Sequence, residues 1–301
     1  MRHAYHILDV FTDTALAGNP LAVVLEAGDI LDDRAQAIAR EFNLSETVFV
    51  DDPRDPVNTA RVRIFTTARK LPFAGHPTVG TAALLALLRA PEMIARQDLA
   101  VVLEEDVGPV ECIVRRVKGQ VRASFTLPIL PEMLGEAPTP DRLGKALGLM
   151  PDDIGFEGHH PTMISAGVPY HCVPVAFDAL GRATPAFHLW SDLLPADSPS
   201  AIYAYARDPS GDALHYRARM FSVGFGLGED PATGSAVAAL SGAIMQFEQL
   251  TDGDHTIQIQ QGVEMGRPSL IVLGLVVEGG ALVSASIGGG VVRISEGTLH
   301  L

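Results

Sequence analysis

Two stretches of this 301-residue chain repeat one another: RIFTTARKLPFAGHPTVGTAALLAL, starting at Arg63, and RMFSVGFGLGEDPATGSAVAALSG, starting at Arg219. Arg63-Ile-Phe-Thr matches Arg219-Met-Phe-Ser, while Pro77, Gly80 and Thr81 match Pro231, Gly234 and Ser235 at a spacing of 154 residues, about half the chain. Gly/Pro loops ahead of Ala-rich helices can look alike by chance, but here the strand before each loop repeats as well. After each loop the apolar residues cover every side of the helix instead of one stripe, and such a helix has to be surrounded. The repeat therefore predicts two similar lobes, each enclosing its own helix.

The rest of the chain supplies the walls. HILDVFTD and LAVVLEAG flank the turn LAGNP as a hairpin. Asp32-Asp33 precede the helical pattern RAQAIAREF, negative charge where a helix N-terminus favours it. TVFVDD, RVRIFT, DLAVVLEED, GPVECIVRRV and GQVRASFTLP read as strands bounded by Gly, Pro or charge. A polar, Pro-rich stretch over 131–161 holds one short helix, PDRLGKALGL. Beyond it come the strands TMISAG, YHCVPVAF, AIYAYARD and LHYRARMFS, with helix-like FHLWSDLL among them, and the closing strands HTIQIQQG, SLIVLGLVVEG, ALVSASIG and GVVRISEG. The expected fold class is α+β: two pseudo-symmetric lobes, each a barrel-like, mostly antiparallel sheet wrapped around a central buried helix. The N-terminal lobe is expected at 1–128 plus 289–301 and the C-terminal lobe at 129–288.

Composition narrows the function. A net charge of −14 and no Lys/Arg cluster longer than a pair such as Arg115-Arg116 disfavour a nucleic-acid or anionic-membrane surface. The longest apolar runs, AALLALL and LIVLGLVV, fall short of the ~18 residues of a membrane span, and MRHAYHILDVF has no apolar leader. A small-molecule partner and a cytoplasmic location are the expectation. Cys112 and Cys172 occur in unrelated contexts without CxxC or Cys/His spacing, so neither a disulfide framework nor a metal site is expected. GxxxxGK[ST], GxGxxG between strand and helix, HExxH and GxSxG are all missing from the sequence.

The paired loops have a chemistry of their own. A helix begins with backbone N–H groups that lack internal partners and with the positive end of its dipole, so it attracts anions without a cationic side chain. Gly80 and Gly234 would let a ligand approach the backbone, Pro77 and Pro231 fix the geometry of the turn, and Thr81 and Ser235 add hydroxyls. Gly75 and Thr78 in the first loop, and Ala232 and Thr233 in the second, complete the candidate binding segments. Asn19, in GNP, is a turn residue first and a ligand contact second. If a pseudo-twofold axis relates the lobes, both helix starts converge on one cleft, where a carboxylate or a developing enolate would be stabilised from two sides.

His76 and Asp230 stand just before the two prolines. Singly they read as a core histidine and an N-cap; together they form an acid/base pair able to move protons near neutral pH. Glu46, in EFNLSETVFV, is flanked by Phe42, Leu44, Val48 and Phe49, a setting that would raise its pKa, although from the residues alone a solvated loop glutamate is the plainer reading. His159-His160 have no metal partner at ligand spacing, and Trp190 and Phe187 read as core.

GNPLAVV (18–24), NLSET (43–47), LPFAGHPTVGTA (71–82), GEDPATGSA (228–236) and QGVEMGRPS (261–269) together resemble the PhzF-like phenazine-biosynthesis isomerase family, of diaminopimelate epimerase-like fold. The resemblance spans nearly the whole chain. It implies an active site between the lobes, a homodimer, no cofactor and no metal. It also implies that Glu46 is the acid/base that shuttles a proton between carbons of a conjugated, carboxylate-bearing substrate, assisted by His76, Asp230 and Ser235. One position departs from the family pattern: Lys70 stands where a glutamate is usual, which changes the charge near the proposed cleft. Related epimerases and proline racemases use one cysteine from each lobe, and the matching loops here contain none. Two alternatives stay open beside the isomerase: an amino-acid or hydroxy-acid epimerase using non-cysteine acid/base residues, and a catalytically silent carboxylate-binding protein.

Overall fold

The computed structural model describes residues 2–194, 199, 201–210, 214–223 and 228–301. It divides into two compact units, the first made of Met1–Pro128, Gly266–Leu270 and Ile287–Leu301, the second of Ile129–Met265 and Ile271–Ser286. Both are α+β.

In the first unit β1 (Arg2–Val10) and β2 (Asn19–Val24) form the expected antiparallel hairpin. α1 (Asp32–Phe42) follows and ends at Asn43, whose φ of 52° gives the left-handed C-cap that asparagine tolerates. β3 (Glu46–Asp51) lies parallel to β2, and β4 (Ala60–Phe65) returns antiparallel to it. β5 (Lys70–Leu71), a two-residue strand, pairs with β4 inside the segment expected to be loop. α2 (Gly75–Arg89) is buried without interruption over its first twelve residues, as its apolar surface on all sides requires. It starts earlier than its apolar run suggests, because Pro77 sits in the first turn, where its missing N–H costs no hydrogen bond. α3 (Pro91–Ile94) leads into β6 (Leu99–Glu105), which pairs parallel with β4, and then into the antiparallel β7 (Gly108–Val117) and β8 (Gln120–Thr126).

The second unit repeats the plan. β9 (Glu132–Glu136), which the polar composition of this stretch conceals, precedes α4 (Pro140–Leu147) and pairs with β10 (Thr162–Ser165). β10 and β11 (Pro169–Pro174) are antiparallel. α5 (Phe177–Leu180) and α6 (Trp190–Leu193) are single turns, so FHLWSDLL forms less helix than expected; Trp190 and Phe187 do pack in the core. β12 (Ala201–Arg207) is parallel to β11, β13 (His215–Ser222) antiparallel to β12, and the short β14 (Gly228–Asp230) antiparallel to β13. The buried helix α7 (Gly234–Phe247) and β15 (Gly253–Gln261), parallel to β13, follow. Residues 224–227 of the second repeated loop lie outside the described residues. The chain closes with β16 (Ser269–Glu278) and β17 (Ala281–His300), whose last part pairs with β1. β17 is one strand where two were expected: Gly288-Gly289-Gly290 continues it.

The repetition extends to register. Ala60 faces Leu103 and Arg61 faces Glu104 across β4 and β6; Tyr216 faces Ile259 and Arg217 faces Gln260 across β13 and β15, every position 156 residues further on. The repeated arginines are anchors of one kind. Arg63 donates to Asp51, Asp32 and the carbonyls of Ile30 and Ala27, and Arg219 to both oxygens of Glu229 and the carbonyls of Leu180 and Ala183. Each guanidinium is buried with carboxylate and carbonyl partners, the condition under which a buried charge is tolerated.

Candidate active site

In the first unit Glu46 opens β3, its side chain 15% exposed, with Oε2 3.4 Å from Nδ1 of His76. His76 is the second residue of α2 and is buried. Burial pushes its pKa down to about 3, against a smaller upward pull from the backbone carbonyl of Pro20, so the ring is neutral across the physiological range. Within the first unit, the carboxyl beside His76 is that of Glu46. Asn19 is fully buried at the start of β2, opposite Val10.

In the second unit Asp230 ends β14 and is buried; its Oδ2 accepts a 2.6 Å hydrogen bond from the Thr233 hydroxyl. The N-cap of α7 is Thr233, so Asp230 is not the cap it resembles. Ser235, in the first turn, lies 2.8 Å from the Tyr170 hydroxyl. Ala232 and Gly234 are buried beside it. Neither α2 nor α7 has a side-chain cap or an acidic residue within its own first turn.

Other candidates resolve differently. At Gly80 a Cβ would lie 2.6 Å from Leu21 Cδ2 and 2.8 Å from Val10 Cγ2, so the glycine lets α2 approach β1 and β2. Lys70 pairs with Asp106 at 3.0 Å and Asp32 at 3.6 Å, which neutralise the charge that departs from the family pattern. Cys112 and Cys172 lie buried on β7 and β11. Burial pushes both thiols up, Cys172 to about 12, so neither is a thiolate nucleophile or base. His159 contacts the Tyr205 hydroxyl and Glu248, each at 3.1 Å, in a structural cluster. A cavity of about 370 Å³ within the second unit, lined by Leu130, Met133, Ile164 and Met245, contains none of the site residues.

Several supporting residues escaped the sequence reading. Arg267, in GRP, donates to the carbonyls of Gly18 and Ala17 and to Asp9, holding the GNP turn that carries Asn19. Tyr170 holds Ser235. Gln261 is fully buried and makes four hydrogen bonds: Nε2 donates to the Asp230 carbonyl (2.8 Å) and the Thr233 hydroxyl (3.1 Å), while Oε1 accepts from Thr233 N–H (3.2 Å) and the Tyr203 hydroxyl (3.1 Å). Glu105, buried at the end of β6, contacts the Thr78 hydroxyl at 2.6 Å. The signal for the last two lay in the repeat, since Glu105 and Gln261 are separated by the same 156 residues as Arg63 and Arg219.

The doubled α+β architecture, with a buried helix enclosed in each unit, is that of the diaminopimelate epimerase-like fold. The sequence profile of the PhzC–PhzF family, phenazine biosynthesis-like protein, matches residues 8–297, and the chain belongs to that family. It is 48% identical to an uncharacterized isomerase of Mesorhizobium japonicum over 99% of this chain and 98% of the relative. It is 35% identical to trans-2,3-dihydro-3-hydroxyanthranilate isomerase of Pseudomonas chlororaphis over 99% of this chain and 100% of the relative. The crystal structure of a PhzF-family phenazine biosynthesis protein from Bacillus anthracis superposes with a TM-score of 0.88 at 23% identity, covering 100% of both chains.

Proposed function

We propose that this isomerase moves a proton between carbons of a small, carboxylate-bearing substrate without metal or cofactor, with the Glu46 carboxyl as acid and base and with His76, Asp230 and Ser235 assisting. The observation that carries the reading is the 3.4 Å approach of Glu46 Oε2 to the buried, neutral His76 at the uncapped start of α2. A neutral imidazole keeps the carboxyl oriented without competing for its proton. As an acid, Glu46 gives a proton to one carbon; as a carboxylate it removes one from another, and the enzyme returns to its starting protonation state. The N–H donors of a helix start stabilise the substrate's carboxylate and the charge that develops on its carbon frame. The relationship to the P. chlororaphis enzyme supports a cyclic amino acid of the type named for that relative, and the family resemblance supports a homodimer.

The test uses trans-2,3-dihydro-3-hydroxyanthranilate and a panel of related carboxylates in deuterated solvent. Glu46→Gln is expected to keep ligand binding, read by thermal shift, and to lose turnover by on the order of 10²–10⁴-fold. Undiminished turnover by that variant would remove Glu46 from the chemistry. Deuterium incorporation with loss of optical activity and no positional isomerisation would establish the epimerase instead, and hits that bind but never exchange would establish a binding protein.

A further inference from the structure

We propose that Glu105 is a positioning residue that works as a neutral carboxylic acid, donating its proton to the Thr78 hydroxyl and so fixing the first turn of α2, where His76 stands beside Glu46. For its effect on turnover this inference rests on the proposed role of Glu46. Its core, a proton held between Glu105 and Thr78, does not.

Thr78 has a single hydroxyl hydrogen to place between two oxygens. Thr78 Oγ1 lies 2.8 Å from the Ala74 carbonyl and 2.6 Å from Glu105 Oε1. A hydroxyl has one proton to donate, and a carbonyl can only accept. With the threonine proton directed to Ala74, the short contact to Glu105 needs a proton from the carboxyl. The second carboxyl oxygen, Oε2, is buried and has no hydrogen-bond partner among the described residues. That is a severe cost for a carboxylate and a modest one for the carbonyl oxygen of an acid.

The repeat gives an independent reason. Glu105 is the last residue of β6 and Gln261 the last of β15, the strands that pair in the same register with β4 and β13. Gln261 donates to the Thr233 hydroxyl, which donates in turn to Asp230; the Glu105 carboxyl makes its short contact with the Thr78 hydroxyl, which also reaches the Ala74 carbonyl. In each unit the side chain at the end of the same strand reaches a threonine at the start of the buried helix. An amide and a protonated carboxyl have nearly the same shape, so the chain places isosteres at corresponding positions.

The surroundings agree. Burial raises the Glu105 pKa to about 8, with the Thr78 bond opposing and the charge of Asp106 adding to it. Asp106 is itself paired with Lys70. Across β7 the nearby Cys112 thiol is held neutral by burial. From α2 the titratable group in the first turn is His76, buried and neutral. The preceding residue, Glu104, points the other way and accepts from the Arg54 and Asp55 N–H groups and from Asn58.

Infrared difference spectroscopy and amide hydrogen exchange on the intact protein test this without substrate. At neutral pH the wild type minus Glu105→Gln spectrum is expected to contain a protonated-carboxyl carbonyl band that titrates away above a pH of about 8. Exchange protection in the first turns of α2 should be retained by Glu105→Gln at every pH. In the wild type, compared with that variant at the same pH, protection should fall as pH rises through about 8. In Glu105→Leu it should fall on the order of tenfold throughout, from loss of one buried hydrogen bond. Absence of the carboxyl band, or full protection in Glu105→Leu, overturns the proposal. Either result is separable from a failure of the Glu46 reading, which appears only as turnover surviving in Glu46→Gln.

Discussion

A histidine kept neutral by burial makes stability depend on acid in a calculable direction. The His76 pKa in the folded state, about 3, lies below the ordinary histidine value of 6.5 that holds in the unfolded chain. Between those values the unfolded chain binds a proton that the folded protein refuses, so stability is full above about 6.5 and declines as pH falls toward 3. His76→Asn keeps a side-chain hydrogen-bonding group beside Glu46 and removes the titration. Its denaturation midpoint should fall less steeply than that of the wild type between pH about 6.5 and about 4. Equal slopes in a denaturant series at several pH values would show that His76 does not hold this burial. Glu46 and His76 were legible because each sits in a short motif with its neighbours in sequence. Glu105 was not: in LEED the strand alternation leaves open whether position 104 or 105 faces inward, and a shift of one residue exchanges buried and solvated carboxyls. Gly80 was legible as a position requiring glycine, but the sequence did not reveal that the requirement comes from Leu21 and Val10.

At the scale of elements, the two enclosed helices were the clearest signal, because an all-round apolar surface leaves no solvent face. Their start points were less clear, since Pro77 reads as a loop residue yet occupies the first turn of α2. β9 was hidden because all five of its residues are exposed, so no burial pattern marks it. β17 was read as two strands because three consecutive glycines look like a break. The structure gives all three a packing reason, since a Cβ at Gly288, Gly289 or Gly290 would meet neighbouring atoms too closely. A Cβ at Gly288 would lie 2.6 Å from Ser124 Cβ, 2.8 Å from the Ala123 carbonyl and 3.1 Å from Ser124 Cα. Backbone cannot yield as a side-chain tip can, so Gly288→Ala should push β17 away from the 123–124 backbone and destabilise the protein by about 1–3 kcal/mol. Chemical denaturation would measure this, and a midpoint equal to that of the wild type would mean that the strand shifts freely.

For the molecule as a whole, the duplication carries most of what the sequence tells, and it also says where the halves must differ. Glu105 in the first unit has one acceptor to satisfy, the Thr78 hydroxyl, so a single carboxyl proton suffices. Gln261 in the second unit donates to two, the Asp230 carbonyl and the Thr233 hydroxyl, and accepts from two donors, which uses the full capacity of an amide. The reciprocal substitutions should therefore be unequal. Gln261→Glu, even as the acid, has one proton for two acceptors and leaves one of them buried and unpaired, a loss of about 1–3 kcal/mol. Ionisation makes matters worse by directing a carboxylate at acceptors, so the folded pKa of the new carboxyl rises and its penalty grows as pH climbs above the ordinary carboxylate value of about 4.3. Glu105→Gln, by contrast, removes a group that resists ionising and should lose nothing in the neutral range. Urea denaturation of both variants at pH about 5 and about 8 would decide: a widening deficit for Gln261→Glu and none for Glu105→Gln is expected, whereas equal behaviour would reduce the correspondence of the two positions to one of sequence alone.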